Sequence, residues 1–269
     1  SELGTHLTGR HLTIYLFPFS FNEFCLFYQK KANEKIFDEY LEKGGFPEYL
    51  KLNQPQILQT LVNDIIARDV IVRHQLRSPQ TIKEVTTYLL SNVGKEFSHN
   101  TLKKLFDLGS VNSAVSYVSF LEESYLLFTI PKFDYAIKKQ MVNPKKIYAI
   151  DNGLIRENSI SFSGDKGRML ENAVFLHLRR NHKQMYYYKG KAECDFVLRE
   201  KEKITHAVQV CYEIDSDNQT REIEGLTEAM KEFKLDKGYI ITHHQEDELK
   251  HGQHTIQIIP AWKWINSAR

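Results

Sequence analysis

Cysteine is scarce in this chain, with three in 269 residues at positions 25, 194 and 211 and no Cys-x-x-Cys spacing. That excludes a disulfide framework and fits a reducing cytosol. Neither sign of charge dominates: 36 basic residues face 34 acidic ones, for a net charge of +2. A polycation is therefore excluded, and any nucleic-acid contact has to come from a local patch. Long apolar runs are missing too. The most apolar early stretch, IYLFPFSF, is short and interrupted by Pro18, so no signal peptide or membrane span is predicted and a cytoplasmic location is expected. No G-x-x-x-x-G-K-[ST] loop occurs to cradle a phosphate, and no nucleophile-elbow glycine pattern occurs. What is present is an ordinary globular composition, 42% hydrophobic and 26% charged, long enough for more than one domain.

The stretch from Tyr186 to Glu213 reads as two strands around a charged turn, Arg199 to Lys203. Strict alternation puts Glu193, Asp195, Val197 and Arg199 on one face of the first strand and Cys194, Phe196 and Leu198 on the other. On the second strand Gln209, Cys211 and Glu213 oppose Val208, Val210 and Tyr212. Carboxylates that face one another raise each other's pKa or need a cation between them. A solvated outer face is the competing reading. Upstream, a helix from Arg168 to about Asn181 places Glu171 on the stripe of Val174, Phe175 and Leu178, where an acid must be paired, protonated or cation-bound, unless it sits at the rim near the helix start. Cys194 and Cys211 fall on opposite strand faces, so no bridge joins them. A helix from Thr220 to Phe233 and strands over KGYIITH and TIQIIP complete this region. The surrounding His243, His244, His251 and His254 have a loosely metal-like spacing, but QEDELK between them reads as a surface helix or loop and a solvated cluster is expected.

Earlier in the chain, LTGRHLTIYLF reads as a strand. Ile36, Phe37, Tyr40 and Leu41 give a helix closed by Gly44-Gly45, and a long helix runs from Pro55 to about His74 with Ile57, Leu58, Leu61, Ile65 and Val72 inward. Beyond Ser78-Pro79, three helices followed by strands LLFTI and KIYAI give the pattern of a winged helix. Its third helix shows Ser113, Ser116, Ser119, Glu122 and Glu123 outward, which does not support base readout. Its ribbon loop carries Lys132, Lys138, Lys139, Lys145 and Lys146 around Tyr135. These lysines form either a nucleic-acid contact or a solvated wing.

The order LTGR, PFSFNEF, GGFPEYL, ARDVIVR resembles the bacterial and archaeal AAA-type ATPases that carry a C-terminal domain of unknown function. The resemblance implies that Arg10 senses nucleotide in a full-length protein, that ATP binds only with an upstream ATPase domain, and that oligomers form through that domain. The last hundred residues resemble the PD-(D/E)xK nuclease fold, αβββαβ. In that resemblance Glu171, Asp195 and Gln209 stand at the positions that serve Mg²⁺ and catalysis, with Asp195 and Glu171 as the metal ligands. Cys211 stands where the catalytic lysine is expected, and Lys189 or Lys191 is the candidate substitute. The expectation is an α/β chain in three parts: an ATPase remnant (1–76), a winged helix (77–158) and a nuclease-like domain (159–269). Its expected function is non-catalytic recognition of nucleic acid or protein within an AAA-type ATPase, with no firm cofactor. The alternative is an Mg²⁺-dependent nuclease acting on DNA or RNA with a relocated lysine.

Overall fold

The computed structural model describes residues 14–160 and 165–267. Arg10 and most of the expected first strand lie outside the described residues, and residues 14–17 form no strand. The first segment is helical: α1 (Phe21–Phe27), α2 (Glu34–Lys43), α3 (Pro47–Leu52) and α4 (Gln56–Asp64), the last running on into a π-helix over Ile65–Val72. Local chemistry sets these ends. Ser20 and Glu23 form a reciprocal capping box on α1, and Asn33 caps α2. Gly44, at φ 72°, ends α2 in a conformation that disfavours side chains. The long helix predicted from Pro55 is there, and Ile57, Leu58, Leu61 and Ile65 of its predicted inner face pack against the core, but Val72 does not. Leu58, Val62, Ile66 and Val70 are buried, whereas Val72 is exposed. The wider π turn advances the face by more residues per turn than an α-helical reading allows.

The middle segment comprises α5 (Pro79–Ser91), β1 (Glu96–Phe97), α6 (His99–Leu105), α7 (Val111–Glu123), β2 (Leu127–Pro131), α8 (Ile137–Val142) and β3 (Lys145–Ala149). The strands form one antiparallel sheet in the order β1-β3-β2, so β3 is central and pairs on both sides. Where the sequence predicts two strands joined by a loop, the loop holds α8, a two-turn helix with no buried residue. α9 (Asn152–Asn158) follows directly, capped by Asp151.

The last segment runs α10 (Lys166–Asn181), β4 (Gln184–Lys189), β5 (Glu193–Glu200), β6 (Lys203–Val210), α11 (Gln219–Phe233), β7 (Lys237–Thr242), β8 (Asp247–His251), β9 (His254–Pro260) and α12 (Ala261–Ser267). Its sheet is mixed, in the order β4-β5-β6-β7-β9-β8, with β6, β7 and β9 parallel and the outer pairs antiparallel. QEDELK is thus largely an edge strand rather than a surface helix or loop. Trp262 and Trp264 sit on α12, half-buried against the core.

Two hydrophobic cores result. The larger one is continuous from α1 through the middle segment to α10 and the α10 face of the second sheet. The smaller lies between that sheet and α11. The middle segment also extends the second sheet: Phe133 N–H donates to Tyr187 O at 2.8 Å, beside a bridge between Lys132 and Tyr187. Its central strand β3 is buried on both faces from Lys146 to Ala149, which its lysine-rich start does not suggest. Among the described residues no helix is long and apolar enough to cross a membrane.

Candidate functional site

Alternation along β3 puts Ile147 and Ala149 on one face and Lys146 and Tyr148 on the other. The second face looks into the last segment, toward α10 and β5. Lys146 is 3% exposed, and its Nζ lies 2.7 Å from Asp195 Oδ1, 2.8 Å from Glu193 Oε1 and 3.4 Å from Glu171 Oε1. Tyr148 donates its hydroxyl to the same Glu171 oxygen at 2.7 Å, and its ring stacks on Phe175 at 4.2 Å. Asn172, fully buried one residue beyond Glu171, fastens α10 to β3. Its Oδ1 accepts from Ala149 N at 2.9 Å, and its Nδ2 donates to Ala149 O at 3.2 Å.

A β-bulge on β5 aims Asp195. One residue of β4, Tyr187, opposes two of β5, because Tyr186 pairs with Val197 while Tyr188 pairs with Cys194. Strict alternation separates Asp195 from Phe196; the extra residue lets both turn toward β3 and α10. Phe196 there meets Tyr148 at 5.5 Å, while Cys194 and Val197 both join the core under α11. The predicted grouping of Asp195 with Val197 is corrected accordingly. Asp195 Oδ2 also accepts from Val210 N at 2.9 Å.

Electrostatics follow from burial. Burial raises the Glu171 carboxyl to about 7, helped by Asp195 and opposed by the Lys146 ammonium. Lys146 is held well above the usual lysine range: Asp195 and Glu171 together outweigh the desolvation that pulls it down. Glu193, the most exposed of the three acids, is lowered because the Lys146 and Lys189 ammonium groups outweigh its own burial. The lysine thus stays charged and neutralises carboxylates that otherwise could not remain ionised together.

The other expected residues are placed as follows. Gln209 is buried but turns away from the ammonium: its Oε1 accepts from Asp195 N at 3.1 Å and its Nε2 donates to Glu222 on α11. The Cys211 thiol donates to Glu213 O, and burial pushes it up to about 11, so it supplies no cation. Lys189 pairs with Glu96 and Glu193 at the rim, and the exposed Lys191 meets Glu228, to which its backbone N–H donates. Neither reaches Asp195. Of the five ribbon lysines, Lys138 and Lys139 are exposed on α8, and Lys132 and Lys145 are half-buried; Lys146 does not join them. The structure moves it from the expected nucleic-acid surface into the carboxylate cluster. Sequence reasoning missed Lys146 in this role, and with it Tyr148, Asn172 and Glu222.

The ammonium already holds Asp195 Oδ1 and Glu171 Oε1, and Asp195 Oδ2 accepts from Val210 N, so a divalent cation shared by the two acids would compete with it. Mg²⁺ needs oxygen ligands at ~2.1 Å with room for several waters. The donor set does not fit it while Lys146 is in place. A cavity of about 560 Å³ opens elsewhere, between α2, α5 and α10, lined by Leu41, Val93, Met169 and Tyr212, and does not include the cluster.

Helix α11 presses close against this site at Gly225, where a Cβ would fall 2.1 Å from Glu193 O. Gly225→Ala is expected to cost about 1–3 kcal/mol through overpacking. It should also shift Glu193 from Lys146, read as a chemical-shift change at both residues. Loss below a few tenths of a kcal/mol would mean the helix has slack here.

Two family models cover most of the chain. Residues 166–264 match a domain of unknown function, DUF4143. Residues 34–161 match a second, the domain of unknown function DUF8612. The chain is similar to an uncharacterized protein of Methanocaldococcus jannaschii, 33% identical over 98% of this chain and 65% of that protein. It is also similar to one of Haemophilus influenzae, 29% identical over 87% of this chain and 60% of that protein. The chain thus spans less than two-thirds of the length of either relative. No solved structure matches it. The cluster straddles the two matches: Lys146 and Tyr148 lie in the DUF8612 part, and Glu171, Glu193 and Asp195 lie in the DUF4143 part. The site is complete only when both are docked.

Proposed function

We propose that this chain is a non-catalytic C-terminal portion of an AAA-type ATPase, in which a winged helix and a degenerate nuclease-like domain serve recognition. The observation that carries the reading is the Lys146 ammonium seated among Asp195, Glu193 and Glu171. An internal cation there closes the acid cluster to a metal, and the neutral Cys211 thiol leaves the usual lysine position without a charge. The order α10, β4, β5, β6, α11, β7 supports the nuclease-like topology. α5, α6 and α7 followed by antiparallel strands support the winged helix. The N-terminal motifs support the link to an ATPase.

Recognition falls most naturally to α8 and its flanks. Tyr135, Ile137, Met141 and Val142 are all exposed beside Lys138 and Lys139. A mixed apolar and basic surface of this kind suits nucleic acid or a protein partner. A second reading has one specific support. Lys146 lies 2.7 Å from Asp195, so an Mg²⁺-dependent nuclease with its lysine supplied from β3 follows if the side chain swings off the carboxylates.

Incubation with DNA and RNA in excess Mg²⁺, against Asp195→Ala as control, decides between them. The first reading expects no cleavage above the control. Cleavage that Asp195→Ala abolishes would sink it. In a salt-dependent DNA-binding assay, Lys132, Lys138, Lys139 and Lys145 changed together to Ala should flatten the log–log salt slope by ~1 for each phosphate no longer neutralised. An unchanged slope removes α8 from nucleic-acid recognition.

A further inference from the structure

The turn after β7 carries His243 and His244, and α2 from the far end of the sequence lies against it. His243 is buried and fixed on three sides. Its backbone N–H donates to Tyr212 O at 3.0 Å, its ring stacks on Tyr212 with centroids 4.6 Å apart, and Nε2 lies 2.6 Å from Asp38 Oδ1. With Nε2–H donated to that carboxylate, Nδ1 carries the free lone pair. Nδ1 faces Glu34 Oε1 at 3.7 Å, too long for a hydrogen bond. His244 and Glu34 are exposed, and one ligand atom from each of the three groups lies within 4.8 Å of the others.

We propose that Glu34, His243 and His244 form a binding site for Zn²⁺ or a similar divalent transition metal, with Asp38 as the outer carboxylate that orients His243. Two imidazoles and a carboxylate are a borderline-soft set that selects such ions over Mg²⁺. Bonds of ~2.0–2.1 Å in a tetrahedron set neighbouring ligand atoms a little over 3 Å apart, so the 3.7 Å gap closes with a small side-chain movement. A carboxylate–histidine pair behind a metal is what fixes the tautomer in such centres, and Asp38 is in that position already. A water completes the fourth place. The bound ion ties α2 to the end of β7, two elements about 200 residues apart, and so locks the helical first segment onto the second sheet. Glu34 and Asp38 sit one helical turn apart on α2, which is why both reach the same ring.

The test is Zn²⁺ titration of the chelator-stripped protein by calorimetry, with Co²⁺ absorption to report a tetrahedral site. One equivalent of Zn²⁺ should bind and raise the thermal midpoint. His244→Ala and Glu34→Gln, both at exposed positions that leave the fold intact, should each weaken binding at least about tenfold, and Asp38→Asn by about 10- to 100-fold. Absence of Zn²⁺ binding by the unsubstituted protein, or unchanged binding in either His244→Ala or Glu34→Gln, overturns the proposal.

Discussion

Lys146→Met is expected to destabilise the fold by about 3–5 kcal/mol, the largest effect of any single substitution at the cluster. The methionine fills nearly the same volume, so packing is preserved and the loss is electrostatic. Asp195 and Glu171, both largely buried, would be left without a counter-ion, and Glu193 would keep only Lys189 at the rim. They can be tolerated only by taking up protons, Glu171 first because burial already raises its carboxyl well above the usual carboxylate range. The native state of the variant then binds more protons than the unfolded chain, so its penalty should shrink as pH falls from about 8 to about 5. Urea unfolding at the two pH values measures this, and adding Asp195→Asn to the variant should recover part of the loss. A loss under about 1 kcal/mol, or one independent of pH, would show that the ammonium is not the cluster's counter-ion.

Asp151→Ala is the second large expectation, at about 2–4 kcal/mol. Asp151 is buried at the junction between β3 and α9. Its Oδ2 accepts from Gly45 N at 2.6 Å, and its Oδ1 caps α9 through Leu154 N at 3.2 Å. A Cβ on Gly44 would meet the same carboxylate at 2.1 Å, so the Gly44-Gly45 turn exists to let the two segments approach. Removing the carboxylate orphans two buried donors and the start of a helix. Burial raises this carboxyl to about 7 against the backbone donors that pull it down. A folded-state value above the unfolded ~3.9 means that the native state holds the extra proton between about pH 4 and 7. Stability contributed by this group is therefore present at low pH and lost as pH rises through that window. In the alanine variant, the fall in stability from pH ~4 to ~7 should be shallower than in the parent. An equally steep fall would assign it to other groups.

Much of the architecture was legible because periodicity carried it. The helix over residues 166–181, the hairpin, the crossover helix and the parallel strand after it were all readable from apolar spacing. Apolar spacing said only that Glu171, if buried, needs a partner; its convergence with Asp195 was implied by the resemblance to the nuclease fold alone. The partner itself was not legible. Lys146 opens the predicted strand KIYAI beside Lys145, where it reads as the solvated end of a lysine-rich loop, and only the burial of both faces of β3 separates the two. No local signal reports that second face, because what covers it lies further along the chain. The bulge at Asp195 and Phe196 was hidden for a similar reason: a one-residue mismatch belongs to the pairing of two strands, not to either one. The π-helix after Asp64 likewise broke a periodic reading that assumed 3.6 residues per turn. Glu34 and His243 could not be associated by any spacing rule.

We propose Lys146, rather than a metal ion, as the counter-charge of the carboxylate cluster. The most direct test is NMR of the protein labelled with ¹⁵N at lysine side chains, titrated with Mg²⁺. A buried, hydrogen-bonded ammonium should give a slowly exchanging signal that disappears in Lys146→Met and stays unmoved as Mg²⁺ is added. A Mg²⁺-dependent shift or loss of that signal, absent in Asp195→Ala, would contradict this and return the site to metal chemistry.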